Sequence, residues 1–117
     1  MSKGLYTEFR KLSPKVTGGL VRMREETFKD VAVPAKYKIL AALTVVVVTK
    51  CEPCINAYTK MAYQVGVTIE ELLEFLNVAM TEGGCPGEQW ALKAYQVYKE
   101  LQDGKEIEEE VCCKFEG

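Results

Sequence analysis

From Tyr37 to Val48 the chain is apolar apart from Lys38 and Thr44, and two residues later it reaches Cys51-Glu52-Pro53-Cys54. A stretch this apolar must be buried over most of its surface, so the rest of the chain has to fold around it. Its length favours a helix, since strands usually end near six residues, whereas the valines at 45–48 favour a strand. Periodicity does not separate the two, and we read the run as a buried helix. It is well short of the roughly 20 residues that cross a bilayer and is bracketed by Lys36, Lys38 and Lys50, so it is not a membrane anchor. A helix apolar on all sides finds little protein to cover it in 117 residues, and self-association is expected.

The flanking segments carry helix punctuation. Leu5, Phe9 and Leu12 recur at helical spacing before Ser13-Pro14, where a capping residue and a first-turn proline restart a helix running through Leu20 and Met23 to about Asp30. Val33-Pro34 is an extended connection. Beyond the cysteines, Ile55, Tyr58, Ala62 and Val65 lead to Gly66. Thr68 and Glu71 then form a capping box for a helix striped with Ile69, Leu72, Leu73, Leu76 and Met80 and ending at Gly83-Gly84. Pro86 opens a last helix with Trp90, Ala94, Val97, Tyr98 and Leu101 on one face, closed by Asp103-Gly104. Trp90, Tyr95 and Tyr98 read as core or subunit packing rather than as a substrate pocket. Residues 105–117 mix an acidic run with Ile107, Val111 and Phe115 and fit a solvated tail, an extra helix or an arm on another subunit. One all-α domain over residues 1–117, a bundle of about five to six helices, is expected.

Fifteen basic and 17 acidic residues leave a net charge of −2, which argues against nucleic acid as a partner. The charges are uneven: residues 1–50 hold 10 basic and 4 acidic side chains, residues 51–117 hold 5 and 13. Solvated helix faces are the simpler reading of this asymmetry; a basic N-terminal arm meeting the acidic half of a neighbouring subunit is the other. The start, MSKGLYTEFRKL, has no secretory pattern, and a cytoplasmic location is expected. Five cysteines are an odd number and argue against a disulfide framework. Histidine is absent, which removes imidazole bases, Cys-His pairs and every zinc site that needs imidazole.

The Cys51-x-x-Cys54 spacing brings two sulfurs within bonding reach at the start of a helix, and so small a ring suits redox chemistry better than structural stapling. Helix N-terminal amides and Lys50 lower a thiol pKa, while Glu52 opposes them. Half of a zinc site has the same spacing. Cys85 and one of Cys112 and Cys113 would complete four thiolates, but without the second close pair that structural zinc sites usually show. Cys85, after Gly83-Gly84, reads as buried or incidentally exposed rather than as a partner of the pair, and a disulfide between Cys112 and Cys113 would be strained and readily reduced.

The stretch CEPCINAYTKMAYQVGVTIEE, residues 51–71, resembles the alkylhydroperoxidase D-like family of the carboxymuconolactone decarboxylase superfamily, in which a C-x-x-C opens a helix followed by a short turn and a capped acidic helix. The resemblance extends back to Pro34 and forward through the final helix. It implies an alkylhydroperoxidase-like helical bundle assembling as a trimer or hexamer, with Cys54 attacking a small hydroperoxide or disulfide substrate and Cys51 resolving. An unidentified reductant protein or dithiol would restore the pair. No cofactor, metal, nucleic acid or membrane is expected. The family's best-known members carry His four residues after the second cysteine and Glu twelve before the first; here those positions are Tyr58 and Ile39, so the proton relay is missing. Tyr58 is the third candidate site residue, orienting substrate or donating to a thiolate, against ordinary core packing. The decarboxylase branch, which relies on histidine, is not implied. A non-catalytic helical interaction or metal-binding protein that kept the fold is the alternative.

Overall fold

The computed structural model describes residues 3–107, and every regular element among them is an α-helix: α1 (Lys3–Leu12), α2 (Pro14–Thr27), α3 (Ala35–Val48), α4 (Glu52–Gln64) and α5 (Ile69–Gln102). The valine run is helical. Leu40, Leu43 and Val47 have no exposed surface, because α3 lies against both α4 and α5. Burial at that level outweighs the modest strand preference of β-branched residues. The opposite face of α3 stays uncovered: Tyr37, Ala41, Val45 and Val48 are exposed.

Gly84, at φ 65° and ψ −151°, breaks the helical path of α5, and the chain doubles back into two limbs, residues 69–83 and 85–102. The punctuation at Gly83-Gly84 and Pro86 therefore falls where the sequence places it. The limbs lie so close that a Cβ added at Gly87 would stand 2.9 Å from the Ala79 carbonyl oxygen. The first limb opens with the expected capping box: Thr68 Oγ1 accepts from the Glu71 N–H at 3.2 Å, and the Glu71 carboxylate accepts from the Thr68 N–H at 3.0 Å. The second carboxylate oxygen of Glu71 meets Lys36 Nζ at 2.7 Å, tying α3 to the same turn.

Ile55, Tyr58 and Ala62 of α4 are buried with Leu72, Leu76 and Ala79 of the first limb and Ala91, Ala94 and Tyr98 of the second. The Tyr98 hydroxyl donates to the Val67 carbonyl at 2.6 Å. Val65 and Leu73, assigned to core stripes from their spacing, are 49% and 40% exposed. Val65 is the C-cap of α4 and falls past the packed turns; Leu73 sits on the outer edge of the α5 hairpin. No residue of α1 or α2 is buried, and the backbones of these two helices approach only each other. Thr17 locks their joint by donating from Oγ1 to the Arg10 and Ser13 carbonyls. Lys105, Glu106 and Ile107 add no helix; the remaining tail residues, with Val111, Phe115, Cys112 and Cys113, lie outside the described residues.

Two predictions follow from this packing. Gly87→Ala drives a methyl into backbone that has no flexible end to yield, so urea unfolding should show a loss of about 1–3 kcal/mol, with little loss overturning the close approach. Tyr98→Phe leaves the Val67 carbonyl without its partner and should cost about 1–2 kcal/mol. Burial first, then the charges of Tyr63, Glu70 and Glu71, holds the Tyr98 phenol above its ordinary value. Its contribution is therefore complete below the unfolded phenol value of about 10 and fades as pH rises through the folded one. The bond to Lys36 and the one from Thr68 hold Glu71 below its ordinary value, so its contribution is present above about 4.5 and fades as pH falls. Unfolding midpoints across pH should decline on both flanks, and Tyr98→Phe should blunt the alkaline one.

Candidate redox site

The cysteine pair is placed by how α3 ends. The Lys50 N–H donates to the Val47 carbonyl at 3.2 Å and the Cys51 N–H to the Val46 carbonyl at 3.0 Å, the paired bonds of a Schellman turn, which needs its middle residue in the left-handed region. The same pattern closes α4 around Gly66 and α5 around Gly104, at φ 86° and 79°. At α3 the position is held by a lysine, with φ 61°, a conformation that costs an ordinary side chain about 1–2 kcal/mol.

Cys51 has two duties. Its N–H finishes α3, and its carbonyl accepts the first bond of α4, from the Ile55 N–H at 2.9 Å. It is the N-cap of α4, with extended backbone at φ −92°, ψ 94°, and only Thr49 and Lys50 stand between it and the end of α3. Glu52, Pro53 and Cys54 fill the first three helical positions, so one turn brings the Cα atoms of Cys51 and Cys54 to 5.3 Å and the sulfurs are joined in a disulfide. These are the two positions that Thr68 and Glu71 use to cap α5. In the disulfide the Cys51 side chain makes no cap bond; on reduction, the Cys54 N–H is the donor that an N-cap thiolate would meet, since Pro53 has none to offer.

Charge around the pair is asymmetric. Lys50 precedes it, and the helix N-terminus adds positive potential. Glu52, the opposing charge, is drawn toward Lys93 of α5 at 3.4 Å, an exposed pair that is worth little to stability but shares the carboxylate with a cation. Lys93 lies over the Trp90 ring, 5.2 Å from its centre. Between this turn and α5 lies a polar cleft of about 320 Å³, with Glu52, Asn56, Lys93, Gln96 and Glu100 in its walls.

Cys54 is half-buried and packs against the core. Tyr58, one turn further on, is 8% exposed and sets its ring 5.7 Å from that of Phe28. Ile39 is buried in the same core and offers no ionisable group. Thr59, which the sequence reading passed over, is fully buried with no hydrogen-bond partner for its hydroxyl among the described residues; its only signal was its place between Tyr58 and Ala62. Cys85 is free and exposed at the start of the second α5 limb. Among the described residues no three His, Cys, Asp or Glu side chains gather as metal ligands, and no helix is long and apolar enough to cross a membrane.

The Lys50 position is directly testable. Lys50→Gly should stabilise the oxidised protein by about 0.5–1 kcal/mol in urea unfolding, because glycine accepts the left-handed turn. It should also slow alkylation of the reduced pair at neutral pH by removing the adjacent cation. Unchanged stability would mean that the turn holds no strain.

Comparison with known proteins sets these features among relatives. The sequence pattern of the carboxymuconolactone decarboxylase family matches residues 14–96. An uncharacterised protein of Cupriavidus necator is 33% identical over 73 residues, 62% of this chain, and the aligned part spans only 65% of that relative's length. The apo crystal structure of a carboxymuconolactone decarboxylase family protein from Legionella pneumophila is similar at a TM-score of 0.79 and 31% identity, covering 84% of this chain and 88% of the other. The family pattern starts with α2 and takes in α3, the Cys51/Cys54 turn, α4 and most of α5, and the chain belongs to the carboxymuconolactone decarboxylase family.

Proposed function

We propose that the chain is a thiol–disulfide redox protein, an alkylhydroperoxidase-like peroxide or disulfide reductase of its family, working through Cys51 and Cys54. The observation that carries this reading is the pair itself, joined across the first turn of α4 in a chain without histidine. The same absence leaves decarboxylation without an imidazole base.

With a hydroperoxide, the Cys54 thiolate attacks the terminal oxygen and breaks the O–O bond. Cys54 becomes a sulfenic acid, and the alcohol leaves after taking a proton. Cys51 then attacks the Cys54 sulfur, the hydroxyl departs as water, and the disulfide forms. A dithiol or a flavin-linked reductase returns the two electrons. Tyr58 lies one turn from Cys54 and acts by positioning, since a phenol is a poor base at neutral pH. The working assembly is a homo-oligomer and the compartment the cytoplasm.

The N-cap placement of Cys51 favours a second reading, in which the substrate is a disulfide. The Cys51 thiolate, held by the Cys54 N–H, attacks one substrate sulfur and expels the other as a thiolate. Cys54 then displaces the second substrate thiol from Cys51, closing the Cys51/Cys54 bond with the substrate reduced.

Mass mapping of the reduced protein after one equivalent of an organic hydroperoxide and, separately, of a small organic disulfide, beside Cys51→Ser and Cys54→Ser, separates the outcomes. A sulfenic acid on Cys54 in the Cys51→Ser protein, forming roughly tenfold or more faster than oxidation of exposed Cys85, is expected from the peroxide route. A mixed disulfide on Cys51 of the Cys54→Ser protein, with a slow peroxide reaction, selects the disulfide route. Slow oxidation scattered over all cysteines sinks both.

A further inference from the structure

Beyond α5 the chain turns back on the bundle. The Gly104 N–H donates to the Leu101 carbonyl at 3.1 Å and the Lys105 N–H to the Glu100 carbonyl at 2.9 Å, with Gly104 at φ 79°, and this turn directs the residues that follow back toward the helix they have just left. Ile107 is half-buried and lines the polar cleft that Glu52 and Asn56 of α4 share with Lys93, Gln96 and Glu100 of α5. The last described residue thus stands in the same cleft as Glu52, the residue bonded to Cys51.

The cleft runs along two turns of α5, from Lys93 to Glu100, a length of about 10 Å. After Ile107 come Glu108 to Val111 and then Cys112-Cys113, two thiols that lie outside the described residues. Five residues of chain reach up to about 17 Å, enough to cross the cleft and meet the Cys51 turn beyond its edge. A tether of this length gives the two thiols an effective concentration at the pair in the millimolar range. The two sulfurs of the pair differ in what surrounds them: Cys54 packs against the core, whereas Cys51 caps the helix and is the one open to attack.

We propose that Cys112 and Cys113 are an internal dithiol that reduces the Cys51/Cys54 disulfide of the same chain, an inference that rests on the redox role proposed for that pair. One tail thiolate attacks the Cys51 sulfur and expels Cys54 as a thiolate. The second tail thiolate attacks the tail sulfur of this mixed disulfide, expels Cys51 as a thiolate and closes a Cys112–Cys113 disulfide. Two electrons pass from the tail to the pair, and the two protons lost by the tail thiols are available to Cys51 and Cys54. The exchange is uphill, because a disulfide between neighbouring residues is strained. The same strain makes it the easier of the two for an external dithiol to reduce, and its removal draws the exchange forward.

The test is on the full chain carrying Cys85→Ser, which removes the exposed thiol outside the scheme. Cys54→Ser combined with Cys112→Ser, or with Cys113→Ser, leaves Cys51 and one tail thiol. One equivalent of diamide should join these two, with a yield unchanged on roughly fiftyfold dilution and, in an equal mixture of unlabelled and ¹⁵N-labelled chains, in same-isotope pairs only. With Cys51 and Cys54 intact and joined, Cys112→Ser with Cys113→Ser should slow reduction of their disulfide by dilute dithiothreitol roughly fivefold or more, at unchanged circular dichroism. Equal reduction rates with and without the tail thiols overturn the proposal, as do disulfides that form only between chains. Diamide and dithiothreitol need neither a hydroperoxide nor a disulfide substrate. Failure to turn over both substrates beside intact exchange would therefore overturn the proposed enzyme function while supporting the internal dithiol.

Discussion

The burial of one face of α3 between α4 and α5 is the interaction on which the rest of the molecule depends. Four successive valines would favour a strand in isolation; with Leu40, Leu43 and Val47 sealed from solvent, the helical register is the one that puts the apolar groups inward together. Because the helix persists through Val48, the chain has only Thr49 and Lys50 in which to reverse before α4 begins. The Schellman turn accomplishes this by placing Lys50 in a conformation that its side chain disfavours. Cys51 is thereby fixed at both ends of its own backbone, one carrying the last bond of α3 and the other the first bond of α4. The position of the cysteine pair is thus a consequence of core packing.

That placement also decides how a thiolate can be stabilised without histidine. The relay positions that the resemblance implies fall on Ile39 and Tyr58, and both side chains are in the apolar core, where an added ionisable group would meet a desolvation cost. Activation falls to what the turn itself provides: the free amides at the head of α4, the cation of Lys50, and the partial withdrawal of Glu52 toward Lys93. These influences act on both sulfurs but differ between them. Cys51 stands at the cap, and Cys54 lies one turn in, against the core.

The helix set was legible because its boundaries are written in residues with local mechanisms: Pro14 in the first turn of α2, where Ser13 precedes the helix without a side-chain cap bond, the Thr68/Glu71 box, and the glycines at 66, 84 and 104. The cysteine turn was legible for the same reason, its geometry being set within four residues. What spacing could not deliver was which side of a stripe finds a partner. Val65 and Leu73 have the right period, yet one sits at a cap and the other on an outer edge. Leu5 to Met23 has the period of a packed helix pair and lies exposed. Thr59 carries no signal of its own in the sequence and is fully buried. Periodicity records that a face is apolar; what covers it depends on the arrangement of elements far away in sequence.

The two limbs of α5 show how close that dependence can be. Gly84 lets the chain turn back, but a turn alone does not set the distance between limbs; Gly87 does, because only a residue without Cβ lets the second limb rest on the Ala79 carbonyl. The inward sides of the limbs then complete the core around α3 and α4, with Tyr98 anchoring the loop at Val67. The outward sides are left as an apolar groove with Glu88 in its wall. A single small residue thus governs the hairpin: it allows the close packing of limbs in which Leu72, Leu76 and Ala94 are sealed from solvent.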